Sequence, residues 1–342
     1  MKFDPRALST FLAFRWLVDP RLAWTSEIRP SWPEAASRRR FRVADTHDIE
    51  TTLRAVCGSL ERNTGLLLSA GMDSAILAAL MPQHTIAFTV EFDAPGARSE
   101  APDASLIARK LGLRHEVVRV TWSDYERWTV PVARHKQAPL HPVEVGLFLA
   151  ARAARDTGLT RLVVGNGADS NFGGLDKLLS RNWTVRSFAQ RYCFVDPARV
   201  LVSPTDVTDV FERFDRGDGS MDVPAFLREV HGPGITQAFQ NALSAAGIEM
   251  IEPYEMLELE GGLDLARIRH GESKYLLRSL FRRLFGFDAP DKLPFIRPMD
   301  TWMSVWNGPH RPELRPDTGP LTGEQRWLVW CLERFLDALE EG

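Results

Sequence analysis

From residue 46 to residue 165, short apolar runs alternate with segments whose apolar residues recur every three or four positions. Few folds accommodate that alternation. The runs 66–68, 86–90 (Ile86-Ala87-Phe88-Thr89-Val90), 116–120 and 161–165 (Arg161-Leu162-Val163-Val164-Gly165) read as strands. A helix is expected over 46–62, with Ile49, Leu53, Val56 and Leu60 at helical spacing. Others are expected over 74–81, 103–111 (Ala104, Ile107, Ala108 and Leu111 on one stripe) and 144–156. Strand–helix alternation of this kind predicts an α/β fold, a doubly wound parallel sheet covered on both faces. Its ligands belong beyond the carboxyl ends of the strands. From about 180 onward the pattern turns mostly helical, with helices expected over 205–214, 223–230, 235–246, 272–285 and 323–340. The expected division is an N-terminal extension (1–45), an α/β core (46–180) and a helical region packed on it (181–342).

Two loops fall at those strand ends. The first, Leu66-Leu67-Leu68-Ser69-Ala70-Gly71-Met72-Asp73-Ser74, passes from an apolar run through small residues straight into a helix. Backbone N–H groups of such a strand–loop–helix unit converge at the positive helix end, which suits a phosphate. Leu68, Ser69, Ala70, Gly71 and Ser74 are the candidate phosphate contacts, and Asp73 is a candidate Mg²⁺ ligand. The spacing G-x-x-x-x-G-K-[ST] is absent, which excludes an ordinary kinase or GTPase loop. The second loop is Gly165-Asn166-Gly167-Ala168-Asp169-Ser170-Asn171-Phe172-Gly173-Gly174. Gly165 and Gly167 permit close backbone approach, and Asp169 could reach the same metal as Asp73.

A third element, Gly271-Glu272-Ser273-Lys274-Tyr275-Leu276-Leu277-Arg278, opens a helix buried through Leu276, Leu277, Leu280, Phe281 and Leu284. Lys274, Arg278 and Arg282 follow at intervals of four, a ridge that also reads as a solvated face, above all at Arg282. A lysine in the first turn opposes the helix dipole, which favours a purpose such as binding a phosphate or a developing oxyanion.

Composition narrows the classes. A net charge of -3 gives no support for a nucleic-acid binder. No apolar run approaches membrane-spanning length, and the N-terminus lacks a signal-peptide pattern. Three widely spaced cysteines (Cys57, Cys193, Cys331) suggest neither disulfides nor a zinc site, so a reducing cytoplasm is expected. Arg38-Arg39-Arg40 reads as a solvated turn. The segment Phe214–Asp222 imitates a calcium loop but is one residue short, with Ala225 where a bidentate Glu is needed; a tight acidic turn is expected.

The first loop resembles the pyrophosphate loop of ATP pyrophosphatases, Ser-Gly-Gly-x-Asp-Ser. The ordered set of motifs resembles the synthetase domain of class B asparagine synthetases and their β-lactam synthetase relatives. Asp103 through Leu111-Gly112 and His115 match an Ala-x-x-Ala-x-x-Leu-Gly helix before a His, and 165–174 match Gly-x-Gly-Ala-Asp-Glu-x-Phe-Gly-Gly. Lys274 to Arg278 match Lys-x-x-Leu-Arg, Lys292-Leu293-Pro294-Phe295 match a trailing lysine, and Ile251-Glu252-Pro253-Tyr254 resemble an upstream Arg-x-Pro-Phe segment. The likeness spans roughly 50–305. It implies an adenine nucleotide α-hydrolase-like fold, ATP and Mg²⁺ as cofactors, and Phe88, Thr89 and Val90 beside the adenine. It implies Asp73 and Asp169 on the metal, with Lys274 and Arg278 catalytic.

Three departures shape the expectation. The chain begins Met1-Lys2-Phe3, without the nucleophilic Cys of the family's glutaminase domain, so nitrogen is expected from ammonia, a separate glutaminase or a substrate amine. Ser170 replaces the Glu of the Asp-Glu pair, which argues against ordinary aspartate amidation, and Ala70 replaces the first loop Gly. The resemblance implies adenylation of a small-molecule or peptide carboxylate and amide formation in specialised metabolism, within or between molecules. The alternatives are another ATP pyrophosphatase chemistry, such as thiolation, and a degenerate non-catalytic partner subunit. His135, His141, Glu252, Tyr254 and Glu255 are possible substrate-side groups beside their structural readings.

Overall fold

The computed structural model describes residues 1–32, 40–290 and 297–341. Arg38, Arg39 and the Lys292–Phe295 stretch therefore lie outside the described residues. Among the described residues there are seven strands: β1 (Phe41–Val43), β2 (Thr64–Leu67), β3 (Ile86–Phe92), β4 (Arg114–Val120), β5 (Arg161–Val163), β6 (Glu249–Ile251) and β7 (Leu257–Leu259). Five form a sheet in the order β4-β3-β2-β5-β6, parallel throughout, while β1 and β7 pair in parallel beside it. The chain winds outward from β2 through β3 to β4, then returns to β5 and β6 on the other side. The switch point between β2 and β5 is where such a sheet opens a crevice for ligand.

Side-chain alternation decides which helices cover which face. Leu66, Ala87, Val163 and Ile251 enter one core with helices Thr46–Gly58, Met72–Leu80, Ala101–Lys110 and Tyr275–Phe285. Phe88, Leu162, Val164 and Met250 enter the other, with Trp122–Lys136, Glu144–Asp156, Gly232–Ala245 and Gly323–Glu340. That second core also takes Phe3, Leu8, Phe11 and Leu12 from the helix Pro5–Phe14. A third, aromatic cluster of Phe14, Phe188, Phe211, Phe214 and Phe226 holds the helical region together.

The helices expected over 74–81, 103–111, 144–156, 235–246 and 323–340 form within a few residues of those bounds. The helix expected over 205–214 shrinks to one turn, Asp209–Glu212, because Asp206 bonds Thr208 as a turn. The helix expected over 223–230 loosens into a π-turn, Leu227–His231, that runs directly into Gly232–Ala245. The Phe214–Asp222 segment is the expected acidic turn: Asp215 Oδ1 accepts the N–H groups of Gly217 and Gly219.

Candidate active site

The site grows from the ends of β2 and β5. Leu68 leaves β2 buried; its N–H donates to the Phe88 carbonyl and its own carbonyl accepts the Thr89 hydroxyl at 2.7 Å. That clamp fixes where the loop departs. The loop then closes on itself: Ser74 Oγ accepts from Ser69 N–H and meets Ser69 Oγ at 2.9 Å, and Gly71 N–H donates to Ser69 Oγ. Gly71 caps the helix Met72–Leu80 without a side-chain hydrogen bond, leaving the first-turn N–H groups aimed at the crevice. Ala70 N–H donates to Glu100 Oε2 at 3.2 Å, a partner that sequence reasoning missed. Burial raises the Glu100 pKa against the opposing pull of that N–H.

The β5 loop meets the first one backbone to backbone. A Cβ on Gly165 would stand 3.6 Å from Ser74 N and 3.8 Å from Asp73 Cβ. Gly167 turns the chain at φ +90°, with the Glu255 side chain packed where a Cβ would be. Asp169 is thereby carried to Asp73, and Lys274 spans the two. Its ammonium contacts Asp73 Oδ2 and lies 2.6 Å from Asp169 Oδ1. Lys274 is 5% exposed. Burial would lower its pKa, but the charges of Asp73 and Asp169 outweigh that and hold it above 10.5.

Lys274 does not sit in the first helical turn, as its spacing suggests. It is the N-cap of Tyr275–Phe285, in the left-handed region at φ 51°, which turns its side chain back toward the strand ends. Only a structure that over-determines the conformation sustains it at a non-glycine. Arg278 supplies part of that constraint, because its Nε donates to the Ser273 carbonyl at 3.0 Å. It acts on the turn before Lys274, as a positioning residue. Gly174 supplies the rest: a Cβ there would collide with Asp169 Oδ1 and Lys274 Cε.

Other expectations need correcting. Phe88 is fully buried in the core, so its side chain cannot line a nucleotide site. The Thr89 hydroxyl is engaged by Leu68 and by His115 Nε2 at 2.7 Å, while Val90 stays partly exposed. Tyr254 is no substrate group; fully buried, it donates to the Asp73 carbonyl at 2.9 Å and braces the loop. Glu252 is 1% exposed and accepts from Asn166 and Thr236. His135 is exposed and meets Ser244, at the opposite end of the helix Gly232–Ala245 from the site. Arg282 pairs with Asp288 on the surface, as a solvated face would.

Against this geometry, residues 55–221 match the asparagine synthase family model. The segment is similar to asparagine synthases over a little under half of the chain. It contains both strand-end loops and ends before Lys274, which the fold brings back to it. Among solved structures, the chain is similar to an NH3-dependent NAD synthetase from Campylobacter jejuni at 20% identity and TM-score 0.26, covering 38% of this chain and 61% of that one. It is also similar to a U34-tRNA thiolase from Methanococcus maripaludis at 15% identity and TM-score 0.29, covering 72% and 82%. At such scores the fold assignment rests on the strand order alone. The chain thus spans less than two thirds of the NAD synthetase. No curated protein matches. Among the described residues no helix is long and apolar enough to cross a membrane.

Proposed function

We propose that this protein is a Mg-ATP-dependent amide synthetase that adenylates a substrate carboxylate and transfers the acyl group to ammonia or an amine. The observation that carries the reading is the Asp73–Lys274–Asp169 bridge, which joins three separate motifs at the sheet's switch point.

The carboxylate pair fits Mg²⁺: two hard oxygen donors from different loops already share one cation, the Lys274 ammonium. Asp73 and Asp169 would hold the ion, which when bound neutralises phosphate charge and the leaving pyrophosphate. The first-turn N–H groups of Met72–Leu80 orient the phosphates of the substrate ATP. A carboxylate oxygen attacks the α-phosphorus, the bond to the bridging β-phosphate oxygen breaks, and pyrophosphate departs. The nitrogen nucleophile then adds to the acyl carbon, loses a proton, and expels AMP by breaking the C–O bond. Lys274, whose ammonium already reaches both strand-end carboxylates, donates to the oxygen on which negative charge develops. Nitrogen comes as free ammonia, from a separate glutaminase, or as a substrate amine, and a specialised acid in place of aspartate accords with Ser170 standing where the family has Glu.

Nucleotide products decide this. With Mg-ATP, ammonia and a panel of carboxylic and amino acids, AMP and pyrophosphate are expected only with particular acids. Formation of ADP, or no nucleotide binding at all, would sink the proposal and favour a non-catalytic partner.

A further inference from the structure

The three charged groups at the switch point differ in how firmly each is held. Asp73 sits in the first turn of Met72–Leu80, and its carbonyl accepts the Tyr254 hydroxyl at 2.9 Å. Asp169 sits in the turn Ala168–Asn171, and its carbonyl accepts the Gly174 N–H at 2.9 Å. Both carboxylates are short side chains on anchored backbone. Lys274 reaches them from a third element, on a flexible four-carbon stem whose backbone is the N-cap of Tyr275–Phe285. Of the three groups, the ammonium is the one that can move while every backbone bond stays in place.

The ammonium also stands where a shared metal would have to be. Nζ contacts Asp73 Oδ2 and Asp169 Oδ1 together. An ion taken by those two oxygens has to stand between them, and that point is held by the lysine. A divalent ion next to the ammonium would meet a like charge at close range, in a place where Lys274 is 5% exposed and water screens poorly. Lysine and metal therefore compete for one carboxylate pair. The contact is built in by a second residue. Gly174 lies outside the left-handed region, so its conformation does not demand glycine; room does, because a Cβ there would collide with both Asp169 Oδ1 and Lys274 Cε.

We propose that Lys274 is the resident counter-ion of this pair: it keeps divalent metal off Asp73 and Asp169 until the phosphates of a nucleotide take the ammonium, so that metal enters only with nucleotide. The part played by nucleotide rests on the synthetase reading; the exclusion of metal by lysine does not. The phosphates are available to the lysine because the first-turn N–H groups of Met72–Leu80 point into the same crevice. By linkage, nucleotide tightens metal binding and metal tightens nucleotide binding by the same factor. The exchange also carries the ammonium to the phosphates, where the proposed reaction uses it.

The test takes Mn²⁺ as the probe, its free signal followed by electron paramagnetic resonance, with nucleotide-free wild type and Lys274→Met. The variant is expected to bind Mn²⁺ at least tenfold more tightly than wild type, and adding Asp73→Asn should abolish the gain. In wild type carrying ¹⁵N-labelled lysine, the Nζ resonance that is missing from Lys274→Met should stay in place with Mg²⁺ alone and shift with Mg²⁺ plus α,β-methylene ATP. If Lys274→Met does not fold by circular dichroism, Lys274→Gln replaces it with the same expectations. Equal Mn²⁺ affinity in wild type and variant, or a gain that survives Asp73→Asn, overturns the proposal. So does an Nζ resonance that moves with Mg²⁺ alone or stays in place when the nucleotide is bound. A tenfold gain in Mn²⁺ affinity with no nucleotide binding to wild type would instead contradict the synthetase reading and leave the exclusion of metal by lysine standing.

Discussion

Lys274 Nζ stands 2.6 Å from Asp169 Oδ1 and also contacts Asp73, so one buried ammonium answers a carboxylate from each of two neighbouring strand ends. The strand order makes this possible. β2 and β5 lie side by side, and their following loops leave the sheet in the same direction.

Removing the ammonium should separate binding from chemistry. Lys274→Ala is expected to keep Mg-ATP affinity within a few-fold while pyrophosphate release falls by about 10²- to 10³-fold, the range seen when one preorganised donor to a developing oxyanion is lost. Equilibrium dialysis and a pyrophosphate assay check both halves; undiminished turnover removes the lysine from the mechanism.

Gly174→Ala tests the same position through its packing. The added methyl would overlap Asp169 Oδ1 and Lys274 Cε, whereas a Cβ on Gly58 meets nothing within 4 Å. Turnover should therefore collapse in Gly174→Ala and remain near wild type in Gly58→Ala, with both proteins folded by circular dichroism.

A second buried ion pair sits away from the chemistry. Lys136 Nζ lies 2.6 Å from Glu144 Oε1, their side chains 1% and 0% exposed, and Asn241 and the His141 N–H complete the carboxylate's shell. Lys136→Met leaves that carboxylate uncompensated and should cost ~3–5 kcal/mol of unfolding free energy, read by urea titration. The double variant with Glu144→Met should recover part of the loss; equal destabilisation in both would contradict the pairing.

Stability should fall in mild acid. Burial lowers the pKa of His141 well below 6.5 and also lowers that of His115, so both are favoured neutral in the fold. The unfolded chain then binds more protons below about pH 6.5, and the stability from the neutral rings, full above that pH, drains as pH falls toward the folded values. The thermal midpoint of wild type is expected to drop between pH 7 and pH 5, with a shallower slope in His141→Gln. A slope unchanged by that substitution would argue against it.

Periodicity made much of this fold legible. Val163 and Ile251 on one face, Leu162 and Met250 on the other, obey the alternation that a strand imposes. Helices such as Glu144–Asp156 and Gly323–Glu340 carry enough turns for their stripes to show. The helix Pro5–Phe14 carries a cap at Asp4 and a proline at its first position, but apolar residues on nearly every side blur its stripe. Trp122–Lys136 was obscured by Pro131 in its interior, and β6 is too short at three residues for alternation to register. The two strand-end loops were readable as chemistry from their small residues and acids. What no local pattern encodes is the meeting of Lys274 with Asp73 and Asp169, which depends on a left-handed N-cap and on the bare Cα of Gly174. The Glu100 contact to Ala70 N–H is equally a product of tertiary packing.

The most direct test of carboxylate activation follows an oxygen atom. An acid that supports AMP formation is supplied with both carboxylate oxygens labelled with ¹⁸O, and the AMP is analysed by mass spectrometry. Attack of the carboxylate on the α-phosphorus predicts one labelled oxygen in each AMP formed. Unlabelled AMP would mean that water or another nucleophile cleaves ATP, and the proposed adenylation would be wrong.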